Sequence, residues 1–455
     1  MAYHISHSVT AHKNIDGDWV LYNWTNGEYA SIYDKEHPIY KIKERSESVV
    51  EPFLYQGSHD DFNWLLENKF LVKNREETIN EVLLSYNKIR SDDILHLIVL
   101  PVDQACNFSC VYCYEDHAQK SRMGEMHINA ILALVRRKHP KMLHIEYFGG
   151  EPLLNSKFIL ELNKRVMDLC REIEISFKSS ATTNGSLLSE DLIRGLYDNG
   201  LRSYQITIDG LPEDHNKLRI ANNGKPTFEL VWRALALMAK MEGLDNLNVL
   251  IRINFNEKSA QESKRYAFIE KIKSLIGKDG RFSVLPRQIG DYSGLNGSPK
   301  PESDYLCSPK KGGALKEDYE RDIINSGLRL GDISTWVGVG GSACYAGRPN
   351  SLVVFPDMKL QKCTVAIDNP LNTVGELKVD GTLELNGNWD LWTRPSIFGK
   401  NECNTCHFSM QCNSSACPLI NIQEKKQICP PDKLNPQDKV EKIIFYNEMM
   451  EPGNE

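Results

Sequence analysis

Several things are missing from this sequence, and each absence narrows its reading. No apolar run approaches the roughly 20 residues of a membrane helix, so no membrane role is expected. The start, Met1-Ala2-Tyr3-His4-Ile5-Ser6, lacks an apolar stretch behind a basic one. No secretory signal is therefore expected, and a cytoplasmic location is. A basic excess is also absent: 54 Lys and Arg against 61 Asp and Glu give a net charge of −7, which argues against a nucleic-acid partner. Repeats and low-complexity tracts are lacking too. What remains is ordinary globular composition, 41% hydrophobic and 25% charged over 455 residues. At about 150 residues per domain, that length suggests roughly three domains.

Cysteine is the residue in excess, with 12 copies. Nothing points to an oxidising compartment, so metal ligation is a better first reading than disulfides. One group is tight, Cys106-x3-Cys110-x2-Cys113. The other is spread out, over Cys344, Cys363, Cys403, Cys406, Cys412, Cys417 and Cys429. Cys170 and Cys307 stand alone, and Cys170 reads as a small buried hydrophobe in a helix.

Residues 1–90 read as a small module, with strands either side of Thr25-Asn26-Gly27, the second running to Tyr33. A helix carrying Phe62, Leu65, Leu66 and Phe70 follows, and a polar stretch, Lys73 to Asn80, joins it onward. Residues 91–300 alternate strands and helices. The strands are expected at Ile94–Val102, Leu143–Phe148, Ile173–Ala181, Ser203–Ile208, Asn248–Phe255 and Arg281–Pro286. Near-continuous apolar strands in βα units predict a parallel sheet, either an open partial barrel or a doubly wound sheet. Residues 301–343 are a bridging segment with Gly338-Val339-Gly340-Gly341, and residues 344–455 hold the second cysteine group and a terminal helix.

Three thiolates in one short loop match three corners of a cubane iron–sulfur cluster, which normally takes four Cys. The open iron would await an outside ligand. The loop follows the first strand, where parallel α/β folds place functional loops. Zinc is the alternative, although x3 then x2 is not the usual paired CxxC spacing.

Cys106-Asn107-Phe108-Ser109-Cys110-Val111-Tyr112-Cys113 resembles the signature loop of the radical S-adenosylmethionine (SAM) family. The resemblance implies a partial (βα)6 TIM-type barrel. It also implies that SAM chelates the fourth iron and is cleaved to a 5′-deoxyadenosyl radical that abstracts hydrogen from substrate. An external electron donor such as flavodoxin or ferredoxin would supply the electron. Gly149-Gly150-Glu151-Pro152 resembles the family's GGEP motif, where Glu151 and the backbone would receive the SAM amino group. By the same resemblance Tyr112, Ser180, Arg219 and Asn254 are further SAM contacts, with Arg219 on the carboxylate.

The seven later cysteines resemble the family's SPASM extension, which holds two auxiliary 4Fe–4S clusters. The resemblance places Cys344, Cys363 and Cys417 on the first and Cys403, Cys406, Cys412 and Cys429 on the second, giving three clusters in all. Cys307 is a candidate fourth ligand to the first auxiliary cluster. Two departures stand out. Four residues separate Cys412 from Cys417 where the family has three, and Met358 sits where a glycine is usual.

The N-terminal module looks like the winged-helix element that binds the leader of a ribosomally made precursor peptide, by adding it as a strand. Family members that activate sulfatases carry an aspartate after the second auxiliary Cys, where this chain has Thr364. The expectation is therefore a peptide maturase that installs a thioether or a carbon–carbon cyclophane cross-link. A peptide epimerase, a sulfatase-type maturase and a zinc-dependent peptide-binding adaptor are the alternatives.

Overall fold

The computed structural model describes residues 4–14, 17–32, 58–91, 93–117, 121–296, 301–331, 343–394, 403, 406–412, 417–425, 428–430, 433 and 435–450. Tyr33 and the Gly338–Gly341 run lie outside the described residues. The chain forms two compact units, each discontinuous in sequence. One comprises Asp92–Gly331 and Pro349–Trp392; the other comprises Met1–Ser91, Asp332–Arg348 and Thr393–Glu455. No helix among the described residues is long and apolar enough to cross a membrane.

The first unit is built on a large, mostly parallel sheet. Strands β1 Ile94–Val99, β2 Met142–Tyr147, β3 Ser176–Thr183, β4 Leu201–Thr207, β5 Asn248–Phe255 and β6 Phe282–Gln288 pair in chain order, each parallel to the one before. Across these six strands the order follows the chain without a break, and it turns back only at β1, where a later strand joins on the other side. Helices such as Ser156–Glu172 and Phe228–Lys240 lie in the chain between successive parallel strands, as crossover connections require.

A seventh parallel strand comes from far along the chain. β7 Ser351–Val354 pairs with β1, with Ser351 opposite His96. Antiparallel strands β8 Lys359–Gln361, β9 Thr373–Leu377 and β10 Leu383–Leu385 extend the sheet outward.

The strands are less uniformly apolar than the sequence pattern suggested. Leu143, Ile145 and Tyr147 of β2, Ile206 of β4 and Ile251 and Ile253 of β5 are fully buried. Each such side chain is worth about 1.5–3 kcal/mol in burial. The alternating positions are polar: His144 and Glu146 on β2, Ser180 and Thr182 on β3, Gln205 and Thr207 on β4, Arg252 and Asn254 on β5. With side chains alternating faces along a strand, these share the face away from the apolar one. A polar row thus runs along the strands towards their C-terminal ends.

In the second unit, Trp19–Asn23 is the middle of a three-stranded antiparallel sheet, flanked by Val9–Lys13 and Tyr29–Ile32. Both faces of this strand are buried. Leu21 packs with Ile5, Leu65, Phe70 and Leu71, while Val20 and Tyr22 join Trp24, Phe408, Val440, Ile443 and Ile444. Residues from both ends of the chain thus share one core. The expected polar joint at Lys73–Asn80 is instead the start of a helix, Arg75–Arg90. Asn74 caps it by accepting from the Glu77 N–H at 2.9 Å, and such a cap starts a helix that has little apolar patterning.

Candidate functional site

At the C-terminal ends of β3–β6, the first unit holds a cavity of about 970 Å³ including its open mouth. Cys106, Cys110 and Cys113 all line it. A short antiparallel ribbon shapes the loop: Phe108–Cys110 pairs with Arg219–Ala221, and Arg219 stands directly opposite Cys110. Asn222 fastens the loop further, donating to the Cys106 carbonyl at 2.8 Å and accepting from Ser109 Oγ at 2.7 Å. The sequence pattern missed this ribbon because its strands are only three residues long.

Gly149 and Gly150 form the turn after β2 and also line the cavity. Their φ angles are +82° and +51°. An added Cβ would lie 2.4 Å from the Asp103 carbonyl oxygen at Gly149 and 2.0 Å from that of Ala105 at Gly150. Only glycine fits such a close approach of two backbones.

Tyr112 is the hub of the cavity wall. Its hydroxyl donates to Asp209 and accepts from Arg219 Nη1 and from Asn254 Nδ2, each at 3.0 Å. Asp209 also accepts the Asn254 backbone N–H at 3.2 Å. Burial raises the Asp209 carboxyl, while Arg219 beside it favours the charged form. Burial opposes charge on Arg219, but Cys110, Tyr112 and Asp209 outweigh it and hold the guanidinium charged. Among the described residues its Nε is buried without a partner, so part of this cation's donor capacity is unspent.

The expected site residues divide into two groups. Cys106, Cys110, Cys113, Tyr112, Gly149, Gly150, Arg219 and Asn254 all reach the cavity. Glu151, Pro152 and Ser180 do not form its wall. Glu151 is buried, and both its oxygens are engaged, by Thr183 Oγ1 at 2.7 Å and the backbone N–H groups of Asn184 at 2.7 Å and Leu153 at 3.0 Å. Ser180 lies deeper along β3, bonded to His144 Nε2 at 2.9 Å, while Thr182 and Thr183 further up the strand line the cavity.

The sequence reading did not single out Glu115, His117, Arg252 or Gln288, which line the cavity as well. Glu115 accepts the Gly150 N–H at 2.6 Å, and burial pushes its carboxyl up to about 8. Glu115 and His117 were visible in principle, as polar residues within four positions of Cys113.

Three thiols on one cavity wall are the kind of donors that a cubane cluster takes. The three thiols are near enough to disfavour one another's ionisation, and burial pushes Cys106 up to about 12. Half-buried thiols in this setting favour the protonated form; bound iron would reverse that preference and take them as thiolates. The charged, partly unspent Arg219 and the glycine pair, which puts no side chain into the cavity, likewise suit a zwitterionic ligand beside them.

The other cysteines are dispersed. Cys363 belongs to the sheet unit, while Cys344, Cys403, Cys406, Cys412, Cys417 and Cys429 belong to the other. Asn372 holds the Cys363 loop, accepting the Cys363 N–H at 2.8 Å and donating to its carbonyl at 2.7 Å. Met358, at the position where glycine is usual, has φ +67°, the conformation glycine serves best. In the second unit, Lys433 Nζ lies 3.6 Å from Cys429 Sγ and also bonds Cys406, and the Cys406 N–H reaches the Cys403 carbonyl at 3.4 Å. Cys406 and Cys412 pack beside the core around Phe408. Cys307 is buried behind the cavity wall, 3.8 Å from the Phe255 carbonyl, and burial pushes its thiol up to about 11. Cys170 is buried in its helix.

Fold and site together define an α/β protein whose parallel sheet presents three thiols, a glycine turn and a buried arginine to one cavity. Residues 100–263 match the radical SAM superfamily. It is 21% identical over 374 residues to the serine-type anaerobic sulfatase-maturating enzyme of Klebsiella aerogenes, covering 75% of this chain and 84% of that protein. It is 22% identical over 253 residues to the radical SAM cyclopropyl synthase TigE of Paramaledivibacter caminithermalis, covering 47% of this chain. The chain spans about half the length of curated relatives such as TigE (53%). Among solved structures it is similar to anSMEcpe with bound AdoMet and a peptide, with a TM-score of 0.60, 20% identity, and coverage of 78% of this chain and 99% of that one.

Proposed function

We propose that this chain is a radical SAM/SPASM maturase that installs a cross-link, thioether or carbon–carbon, in a ribosomally made precursor peptide. The observation that carries the chemistry is the convergence of Cys106, Cys110, Cys113, Gly149, Gly150 and Arg219 on one cavity. Cys106, Cys110 and Cys113 would hold a 4Fe–4S cluster, and the glycine turn with Tyr112, Arg219 and Asn254 would hold SAM. Bound together, these two groups supply a carbon-centred radical that abstracts a hydrogen atom from substrate. The chain's own residues bind and orient. Arg219 offers a charged donor for a carboxylate, and Tyr112 ties it to Asp209 and Asn254 so that it cannot swing away.

Cys344, Cys363 and Cys417 are proposed to hold one auxiliary cluster and Cys403, Cys406, Cys412 and Cys429 another. Cys307 is a candidate ligand of the first. These clusters would take up the electron left after bond formation, and a flavodoxin or ferredoxin would deliver the one needed at the start. A peptide substrate is supported by the fold shared with anSMEcpe, whose structure contains one. The N-terminal three-stranded sheet would act as a winged-helix-like element for the leader.

Sulfatase-type maturation is the second reading, favoured by the long match to the Klebsiella aerogenes enzyme. Against it stands Thr364, a buried residue with no carboxylate where those enzymes use an aspartate. The test is anaerobic turnover of the reconstituted protein with SAM, a reductant and short peptides encoded beside its gene, read by tandem mass spectrometry. Loss of two hydrogens with two residues joined is expected. A change confined to one residue marks sulfatase-type chemistry, and unchanged mass with inverted stereochemistry marks an epimerase. Zinc in place of iron, with no absorbance near 400 nm, would leave only a peptide-binding adaptor.

A further inference from the structure

His117 stands on the cavity wall, and its Nε2 lies 3.3 Å from Cys113 Sγ. Among the described residues the ring makes no other hydrogen bond. Its backbone is held at φ +59°, a conformation costing an L-residue about 1–2 kcal/mol. The residue before it is pinned: the Asp116 N–H donates to Gln104 Oε1 at 2.9 Å, and Gln104 is itself buried. The turn thus spends backbone strain to bring one imidazole onto one sulfur.

We propose that His117 donates an N–H hydrogen bond to the Cys113 thiolate and thereby raises the reduction potential of the cluster that Cys113 holds. The inference rests on the reading above that Cys106, Cys110 and Cys113 bind a 4Fe–4S cluster. An N–H pointed at a ligand sulfur draws charge from it, and so favours the state with one more electron. The reaction it tunes is a one-electron reduction: the external donor is oxidised by one electron, the cluster is reduced by one, and no bond forms or breaks. His117 is a positioning and tuning residue, with no contact to substrate required.

The test is a redox titration of the anaerobically reconstituted holoprotein, followed by electron paramagnetic resonance, using the signal that changes when SAM is added. Two variants accompany the wild type. His117→Gly removes the donor and suits the positive φ, while His117→Gln offers an amide N–H of similar reach. His117→Gly should lower the equilibrium constant for reduction about tenfold, equivalent to about 59 mV for one electron. His117→Gln should recover at least half of that shift. Iron content and melting temperature, measured alongside, report loading and folding. Equal potentials in wild type and His117→Gly overturn the proposal, as does loss of iron from both variants, which marks a purely structural role. Imidazole nitrogen bound directly to iron, seen as a strong nitrogen hyperfine coupling, overturns it too. Failure of the wild type to build any cluster that responds to SAM refutes the underlying reading instead.

Discussion

The two cysteine groups are built on opposite plans. The first lies in one loop of one compact unit, with all three thiols on one cavity. Backbone pairing with Arg219–Ala221 and the side chain of Asn222 shape it, using groups that are not ligands. The second runs from Cys344 to Cys429, with Cys363 in one unit and its fellows in the other. A local loop can be preformed by its own hydrogen bonds before any metal arrives. A dispersed set has to be gathered by the fold, so any metal it were to bind would add its binding energy to folding. The first group is therefore expected to govern chemistry, and the second to govern chemistry and stability together.

The largest effects should come from emptying each group in turn. Changing Cys106, Cys110 and Cys113 together to Ala should abolish formation of 5′-deoxyadenosine while removing only about one third of the iron, if three cubanes are present. Melting temperature should barely move. Changing Cys403 and Cys406 together to Ala should do the reverse, with a lower melting temperature around the Trp24 and Phe408 core and SAM cleavage kept within about tenfold. The contrast breaks if the first variant melts like the second.

Next comes Gly150→Ala. Its new Cβ would meet a backbone carbonyl at 2.0 Å from a positive φ, and neither side can yield cheaply. A loss of about 3 kcal/mol in stability and at least about 100-fold in SAM cleavage is expected. An unchanged rate would mean that this turn is looser than the loop it braces.

The same contrast explains what the sequence disclosed. The signature loop was legible because its chemistry is written in adjacent residues. So were β1–β6 and most of their helices, since βα repetition survives in the local pattern. The place of β7 beside β1 was not legible, because that pairing joins residues some 250 positions apart. The core shared by Val20, Tyr22 and Val440 was hidden for the same reason. At the site, the motif suggested Glu151 and Ser180 as contacts, yet the first is consumed by Thr183 and Asn184 and the second by His144. Alternation of side chains along β3 places Thr182 higher on the same face, a difference of two residues that only the register resolves.

A smaller effect is expected at Tyr112→Phe. The hydroxyl satisfies Asp209, Arg219 and Asn254 at once, so its loss leaves three buried polar groups short of a partner. About 2–3 kcal/mol of stability should go. SAM affinity, measured by calorimetry on the cluster-loaded protein, should fall about tenfold as Arg219 loses its tether. An unchanged affinity would show that the arginine is held by Asp209 alone.

The smallest effect tests whether the two regions respond to acid separately. Each unit has a buried, neutral histidine. In the sheet unit, burial lowers His215 to about 2, helped by the nearby Arg219; its Nδ1 accepts the Asp209 N–H at 3.1 Å. In the other unit, burial lowers His12 to about 4, with His407 adding to the shift and Gln437 opposing it. In the unfolded chain both would take a proton near pH 6.5. Their folded pKa values are depressed, so the stability they allow is intact above pH 6.5 and is lost as pH falls below it. Each should cost about 1 kcal/mol between pH 6.5 and 5.5. His215→Asn keeps an acceptor for Asp209, and His12→Gln keeps a polar group for Thr10, whose Oγ1 lies 2.5 Å from His12 Nε2, while both remove the titration. Hydrogen exchange at pH 5.5 and 6.5 would follow peptides covering 201–219 and 19–24 separately. His215→Asn should flatten the pH response of the first only, and His12→Gln that of the second only. If either variant flattens both, the units open as one, and the dispersed cysteines are then gathered by the same cooperative transition that holds the loop.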